Sequence, residues 1–164
     1  MVSTFKQELS TKAEDQIAEE RQKINYDTRE FTIETLVKHL EEDKIYLPDY
    51  RSRGLIWDLN RQSRFIESIF LGLPIPPLFA AQILESYSLE IIDGSQRVIT
   101  LSAFITNKLE LTNLTTLDSL NGFKFNNFSP SRQRKFKNTA IRIIILSDTD
   151  EQVKNDIFAR INNY

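Results

Sequence analysis

Apolar side chains fall along this chain in two rhythms, one of about 3.6 residues and one of short continuous runs, separated by polar stretches. Residues 5–23 are crowded with Glu, Gln and Lys, so the pattern predicts at best a weakly amphipathic helix, or a solvated arm. The rhythm changes at Thr32, which is placed to cap a helix whose Ile33, Leu36, Val37 and Leu40 share one face. "KIYLPDY" follows as a short strand stopped by Pro48. A second helix carries Phe65, Ile66, Ile69 and Phe70 on its buried side, with Gly72 as its C-terminal cap and Pro74, Pro76 and Pro77 ending it. Strands over 78–84 and 89–92 flank "ESYS" as a hairpin connection. A helix from about Ser95 continues through Val98, Leu101 and Ile105. Asn121-Gly122 reads as a turn, and Ser129-Pro130 as the cap and first-turn proline of a basic helix. "TAIRIIIL" has the unbroken branched apolar residues of a central strand. Asp148 or Thr149 is predicted to cap the last helix.

Strands and helices mix without strict alternation and no repeat of about 20 to 50 residues appears, so the expected architecture is α+β around a small mixed sheet. One domain over 31–164 is expected behind a polar helical arm, residues 1–30. The last helix reaches Tyr164 without a glycine cap, and the expectation is a piece of a longer protein.

Composition narrows the function classes. The 164 residues are 40% hydrophobic and 27% charged, enough for a real core. A net charge of −2 gives no whole-molecule attraction to nucleic acid, so such binding needs a local patch. Cysteine is absent, which removes disulfides, thiolate catalysis and cysteine zinc sites and fits a cytoplasmic setting. No apolar run is long enough for a membrane span, and the N-terminus has no signal-peptide pattern.

Catalytic apparatus can be tested by elimination. The single histidine, His39, lies beside a helix face and has no partner set for a metal, an HNH nuclease or a Ser-His-Asp site. No Walker phosphate loop is present, and Glu90 and Asp93 lack the following acid-x-Lys of a metal-dependent nuclease core. The segment is therefore not expected to cut DNA. What remains is "LEIIDGSQRVITLSAF", a strand that ends in Asp93-Gly94 and opens into a helix at Ser95. Free N–H groups at a helix N-terminus attract anions, Gly94 permits close backbone approach, and Arg97 offers a planar fork to phosphate oxygens. Gln96 can orient a water or a base edge. Asp93 can take a ribose hydroxyl, a metal ion or the helix cap.

"LPDYRSRGLIWD", "RQSRFIESIFLGLPIPPLF", "EIIDGSQRVITLSAF" and "IFARINN", in that order, resemble the successive signatures of the GmrSD-type restriction endonuclease N-terminal domains, within the wider ParB/sulfiredoxin-like superfamily. The resemblance implies a ParB/sulfiredoxin-like fold and nucleotide binding, with hydrolysis in some members, inside modification-sensing or antiphage DNA restriction, where a separate nuclease domain cuts. The family's Asp-Gly-Gln-Gln-Arg motif stands here as Asp93, Gly94, Ser95, Gln96 and Arg97, with serine for the first glutamine. Asp93 and Gln96 take the implied catalytic roles, Asp93 also the implied Mg²⁺ contact, and all five the implied NTP contacts. The implied site also gathers an aromatic-Gln-Arg segment, but its spacing to tryptophan is one residue longer here. Counting back from Trp57 gives Arg53 for the arginine and Ser52 for the glutamine; counting forward from Pro48 gives Tyr50 and Arg51. With two of three glutamines replaced, the resemblance implies nucleotide binding more than hydrolysis.

The sulfiredoxin branch needs a thiolate and is set aside. The ParB branch stays open; its corresponding loop resembles a cytidine-nucleotide clamp, so the base is not legible here. Arg132, Arg134, Lys135 and Lys137 form the best local patch for a DNA backbone, or a solvated helix face. Trp57 and Tyr50 either stack a base or fill the core. Two functions stand: an NTP-binding regulatory domain coupling nucleotide state to DNA recognition and a nuclease, or a ParB-like DNA- or protein-binding adaptor without turnover.

Overall fold

The computed structural model describes residues 2–48, 56–147 and 150–163. Tyr50, Arg51, Ser52 and Arg53, the implied aromatic-Gln-Arg segment, lie outside the described residues, as do Asp148 and Thr149. The fold is α+β. Five strands, β1 (Tyr26–Thr32), β2 (Ile45–Tyr46), β3 (Leu78–Gln82), β4 (Leu89–Asp93) and β5 (Ala140–Leu146), form one mixed sheet in the order β1-β5-β3-β4-β2. β5 lies inside the sheet, antiparallel to β1 and parallel to β3, as its unbroken apolar run predicts. β3 and β4 form the expected hairpin, closed by Ile83 N–H donating to Ser88 O at 2.8 Å.

Alternation along the strands divides the sheet into two unequal faces. Ile141, Ile143 and Ile145 of β5, Leu78 and Ala80 of β3, and Leu89 and Ile91 of β4 are buried in the main core. Four helices supply its other half: α2 (Ile33–Glu41), α3 (Leu59–Phe70), α4 (Ser95–Ile105) and α5 (Pro130–Lys137). Thr32, Asp58 and Ser129 cap α2, α3 and α5 through side-chain oxygens, each satisfying a helix donor that would otherwise be unpaired. Gly72 follows α3 at φ 72°, in the left-handed region predicted for it. At one end of the core the rings of Phe70, Phe104, Phe125, Phe128 and Phe136 pack together, with Phe70 stacked on Phe128 at 4.8 Å. The polar loop after α4 is held by two buried side chains of α3. Ser63 Oγ accepts from Thr112 N–H at 3.0 Å, and Glu67 Oε1 accepts from Leu117 N–H at 2.7 Å.

On the opposite face Ala81, Ile92 and Leu146 are buried, with Phe79 of β3 partly buried beside them and Ile157 and Phe158 of α6 (Glu151–Asn162) packed against them. A clasp reinforces this contact: Lys154 Nζ lies 3.0 Å from Glu90 Oε2 on β4 and 2.7 Å from Glu151 Oε1. Burial works against the Lys154 charge, but its hydrogen bonds to Glu151 and Glu90 outweigh that and hold its pKa above the ordinary lysine value.

Three expectations change. Asp150, not Asp148 or Thr149, caps α6, accepting from Val153 N–H at 2.8 Å. β1 was not predicted, because "YDTREFT" is an exposed edge strand with almost no apolar alternation to announce it. The boundary drawn at residue 30 falls inside β1, which pairs with β5 from Tyr26 onward. The polar stretch before it is a helix, α1 (Val2–Gln22), with no buried residue. His39 packs edge-on to Phe31, ring centroids 5.3 Å apart. Among the described residues no helix is long and apolar enough to cross a membrane.

Because α1 buries nothing, deleting it is expected to shift the melting temperature of the remaining domain by no more than about 1 °C in calorimetry. A drop of several degrees would show that α1 carries part of the folding energy.

Candidate functional site

The turn from β4 into α4 is built around one glycine. Gly94 sits at φ 100°, where an L side chain is strained, and a Cβ there would lie 2.3 Å from Leu78 Cδ2. Asp93 does not cap α4: the helix has no side-chain cap, and the Asp93 carboxylate turns to Arg97 instead, Oδ2 to Nη2 at 3.2 Å. The Arg97 side chain is only 12% exposed. Its Nη1 also donates to Pro76 O and, at 3.3 Å, to Pro77 O, the two carbonyls that lead into β3. Burial pushes the guanidinium pKa down and Asp93 opposes the shift, but an arginine starts so high that it stays charged. Arg97 is thus a clasp across the ends of two strands as well as a cleft residue.

With its cap position empty, α4 presents unpaired donors. Val98 N–H is bonded to Gly94 O at 3.1 Å, while the N–H groups of Ser95, Gln96 and Arg97 have no acceptor among the described residues. Ser95 Oγ is buried and likewise without a partner. This end of α4 opens onto a cleft of ≈ 1150 Å³. Asp93, Gly94, Ser95, Gln96 and Arg97 form one side of it. Trp57, Arg61, Arg64 and Phe65, from the start of α3, form another, and Phe158 and Asn162 of α6 reach it as well.

Gln96 is already engaged: its Oε1 accepts from Trp57 N–H at 3.1 Å. Trp57 O in turn accepts from Gln62 Nε2 at 2.9 Å, so one peptide segment is gripped by amides from two helices. The Gln96 Nε2 donor has no partner among the described residues. Arg61 lies over the Trp57 ring, Cζ 4.7 Å from its centroid, and Arg64 makes no ion pair among the described residues. Asp58, the other carboxylate of the cleft, is occupied as the α3 cap. For a cation, Asp93 therefore offers one unengaged oxygen, Oδ1. That suits an Mg²⁺ ion carried by phosphates rather than a site made by protein alone, and among the described residues no cluster of three metal-binding side chains exists.

The predicted basic patch stands elsewhere. Arg132, Arg134 and Lys135 are exposed on α5, whereas Lys137 lies 4.0 Å from Glu34 and 5.7 Å from the Phe125 ring centre. Phe136 anchors α5 on Phe70 and Phe104, at the far ends of α3 and α4. On α4 nine residues separate Phe104 from Ser95 at the cleft, roughly 13 Å at 1.5 Å per residue, and although the cleft's lining reaches Ser68 on α3 it includes no residue of α5. Patch and cleft are distinct surfaces. Arg61, Arg64, Phe158 and Asn162 were not anticipated in the cleft. A signal existed: Arg61, Arg64, Phe65 and Ser68 follow the i, i+3, i+4, i+7 spacing of one helix face, and Phe158 and Asn162 are four apart.

Gly94→Ala is expected to destabilise the domain by about 2 kcal/mol in urea unfolding, from backbone strain plus contact with Leu78. A change under about 0.5 kcal/mol would refute that requirement. Arg97→Ala, which strips Pro76, Pro77 and Asp93 of their donor, is expected to cost about 3 kcal/mol. Asp93→Asn keeps a neutral acceptor for Nη2 and should cost about 1 kcal/mol. Equal losses for the two variants would contradict the clasp.

Comparison with curated proteins and with solved structures returned no match. The family model described as GmrSD restriction endonuclease, N-terminal domain, matches residues 33–164, which include β2 to β5, α2 to α6 and every wall of the cleft. The chain belongs to the GmrSD restriction endonuclease N-terminal domain family.

Proposed function

We propose that this domain binds a nucleoside triphosphate, with Mg²⁺, at the β4–α4 turn, and that nucleotide state governs DNA recognition within a restriction or antiphage system whose cutting is done by a separate nuclease domain. The observation that carries this reading is the uncapped N-terminus of α4, whose three free N–H groups face a cleft lined by Arg61 and Arg64. Helix N-termini hold phosphate through such donors and through the partial positive charge of the aligned peptides. Asp93 pairs with Arg97, and the remaining carboxylate of the cleft, Asp58, offsets only one of the two arginines, so three arginines against two aspartates leave the lining with one net positive charge. In this reading Gly94 lets phosphate approach the backbone, Ser95 and the Gln96 amide donate to it, and Asp93 Oδ1 contacts the metal. Tyr50, Arg51 and Arg53 enter through the family resemblance alone. Duplex DNA is assigned to the α5 surface, through Arg132, Arg134 and Lys135 with Lys137 at its edge.

One observation favours binding over turnover. Gln96 Oε1 already accepts from Trp57 N–H, which fixes the direction of the amide and leaves a single lone pair for an attacking water, and Ser95 replaces the family's other glutamine. Phosphoryl transfer depends on alignment, so a site that binds without placing a water hydrolyses slowly. The ParB-like adaptor without turnover is the limit of this reading.

The test is thermal. A triphosphate with Mg²⁺ at 100 times its dissociation constant is expected to add about 2.7 kcal/mol of stability, roughly 5 to 10 °C for a domain of this size. No shift with any of the four common triphosphates would remove the proposal.

A further inference from the structure

We infer that Trp57 and Arg61 form the platform on which the base of the bound nucleotide stacks, so that the cleft recognises a mononucleotide by its ring as well as by its phosphates. The inference rests on the nucleotide reading of the same cleft and adds the element that separates a nucleotide from any polyphosphate. Its basis is how Trp57 is held. Both polar groups of its peptide segment are taken by side-chain amides, the N–H by Gln96 of α4 at 3.1 Å and the C=O by Gln62 of α3 at 2.9 Å. Phe65 fixes the ring from the side, centroids 5.6 Å apart and planes at 70°.

A tryptophan that merely filled the core would be closed over by apolar side chains. Trp57 is only partly buried, and among the described residues the group over its ring is the guanidinium of an exposed arginine. Arg61 has no carboxylate partner among the described residues, so it is free to swing outward at the cost of one exposed cation–π contact. A planar ring entering the cleft then takes its place on the indole, and the displaced guanidinium, itself planar, covers the outer face of that ring. Because Gln96 belongs to the first turn of α4, the indole is tied to the same turn whose N–H groups point at the phosphates. Ring and phosphate sites are thereby held at a fixed separation.

Trp57 is the only tryptophan in the chain, so its fluorescence reports on this position alone. The full chain would be titrated, in Mg²⁺, with each common nucleoside triphosphate, with inorganic tripolyphosphate and with a short single-stranded oligonucleotide. At least one triphosphate is expected to quench Trp57 and to bind about tenfold or more tighter than tripolyphosphate, the scale of one base–aromatic stack. Trp57→Leu, followed by calorimetry, should lose most of that advantage while leaving tripolyphosphate affinity unchanged; Arg61→Met, which also removes one of the cleft's charges, should weaken both ligands but bring their affinities closer together. Arg61 is a surface residue, so its variant tests the platform even if Trp57→Leu fails to fold. Equal affinity for nucleotide and tripolyphosphate would overturn the platform and leave the phosphate site standing. Quenching by the oligonucleotide alone would overturn the mononucleotide assignment. Binding of neither would remove the nucleotide reading and the platform with it.

Discussion

The Arg97 guanidinium is the interaction on which the cleft depends. It joins the carbonyls of Pro76 and Pro77, where the chain enters β3, to the carboxylate of Asp93, where the chain leaves β4. The two strands meet there in an irregular register, shifted between Phe79 and Ala80, so regular ladder bonds alone do not fix that end of the hairpin. A nearly buried cation is costly unless its donors are matched, and one carboxylate with two carbonyls supplies the match. The consequences follow in sequence. Arg97 holds the first turn of α4, Gly94 bends under Leu78 to reach it, and Gln96 is aimed at Trp57. The arginine proposed to contact a ligand is therefore also the support of the cleft, and its removal is expected to disturb both.

The unequal faces of the sheet give the domain a rigid side and a lighter one. α2 to α5 share a core of fully buried aliphatic and aromatic side chains, and the cleft walls from α3 and α4 are extensions of it. The third wall, α6, has no buried residue and rests on the second face through Ile157, Phe158 and the Lys154–Glu90 clasp. A wall with so little buried area is the part of the cleft whose position is set most weakly by the core. The basic surface of α5, by contrast, is anchored by Phe136 in the aromatic cluster at the other end of the same helices. Cleft and basic surface are thus linked through the lengths of α3 and α4, two packed rods with a shared core.

Much of this was legible from the chain. The caps at Thr32 and Ser129, the glycine ending α3, the β3–β4 hairpin and the interior position of β5 all follow from local rules that act within a few residues. β1 was not, because an edge strand such as "YDTREFT" is stabilised by backbone pairing with β5 while all but its last two side chains face water. The strand-turn-helix from Asp93 to Arg97 was legible as local structure, but the contacts made inside it depend on long-range partners. Nothing near Arg97 in sequence points to Pro76 and Pro77, and nothing near Gln96 points to Trp57, 39 residues away. Trp57 itself stood between two readings. The stacking proposal rests on its partial burial under an arginine rather than on its neighbours in sequence.

The most direct measurement is a nucleotide titration followed through backbone amide resonances. If the free donors at the start of α4 hold the phosphates, the amides of Ser95, Gln96 and Arg97 shift first and furthest, the Trp57 amide and indole signals move with them through Gln96, and the amides of α5 stay in place. Perturbation confined to α5 or α1, with the α4 N-terminus unmoved at saturating nucleotide, would contradict the account.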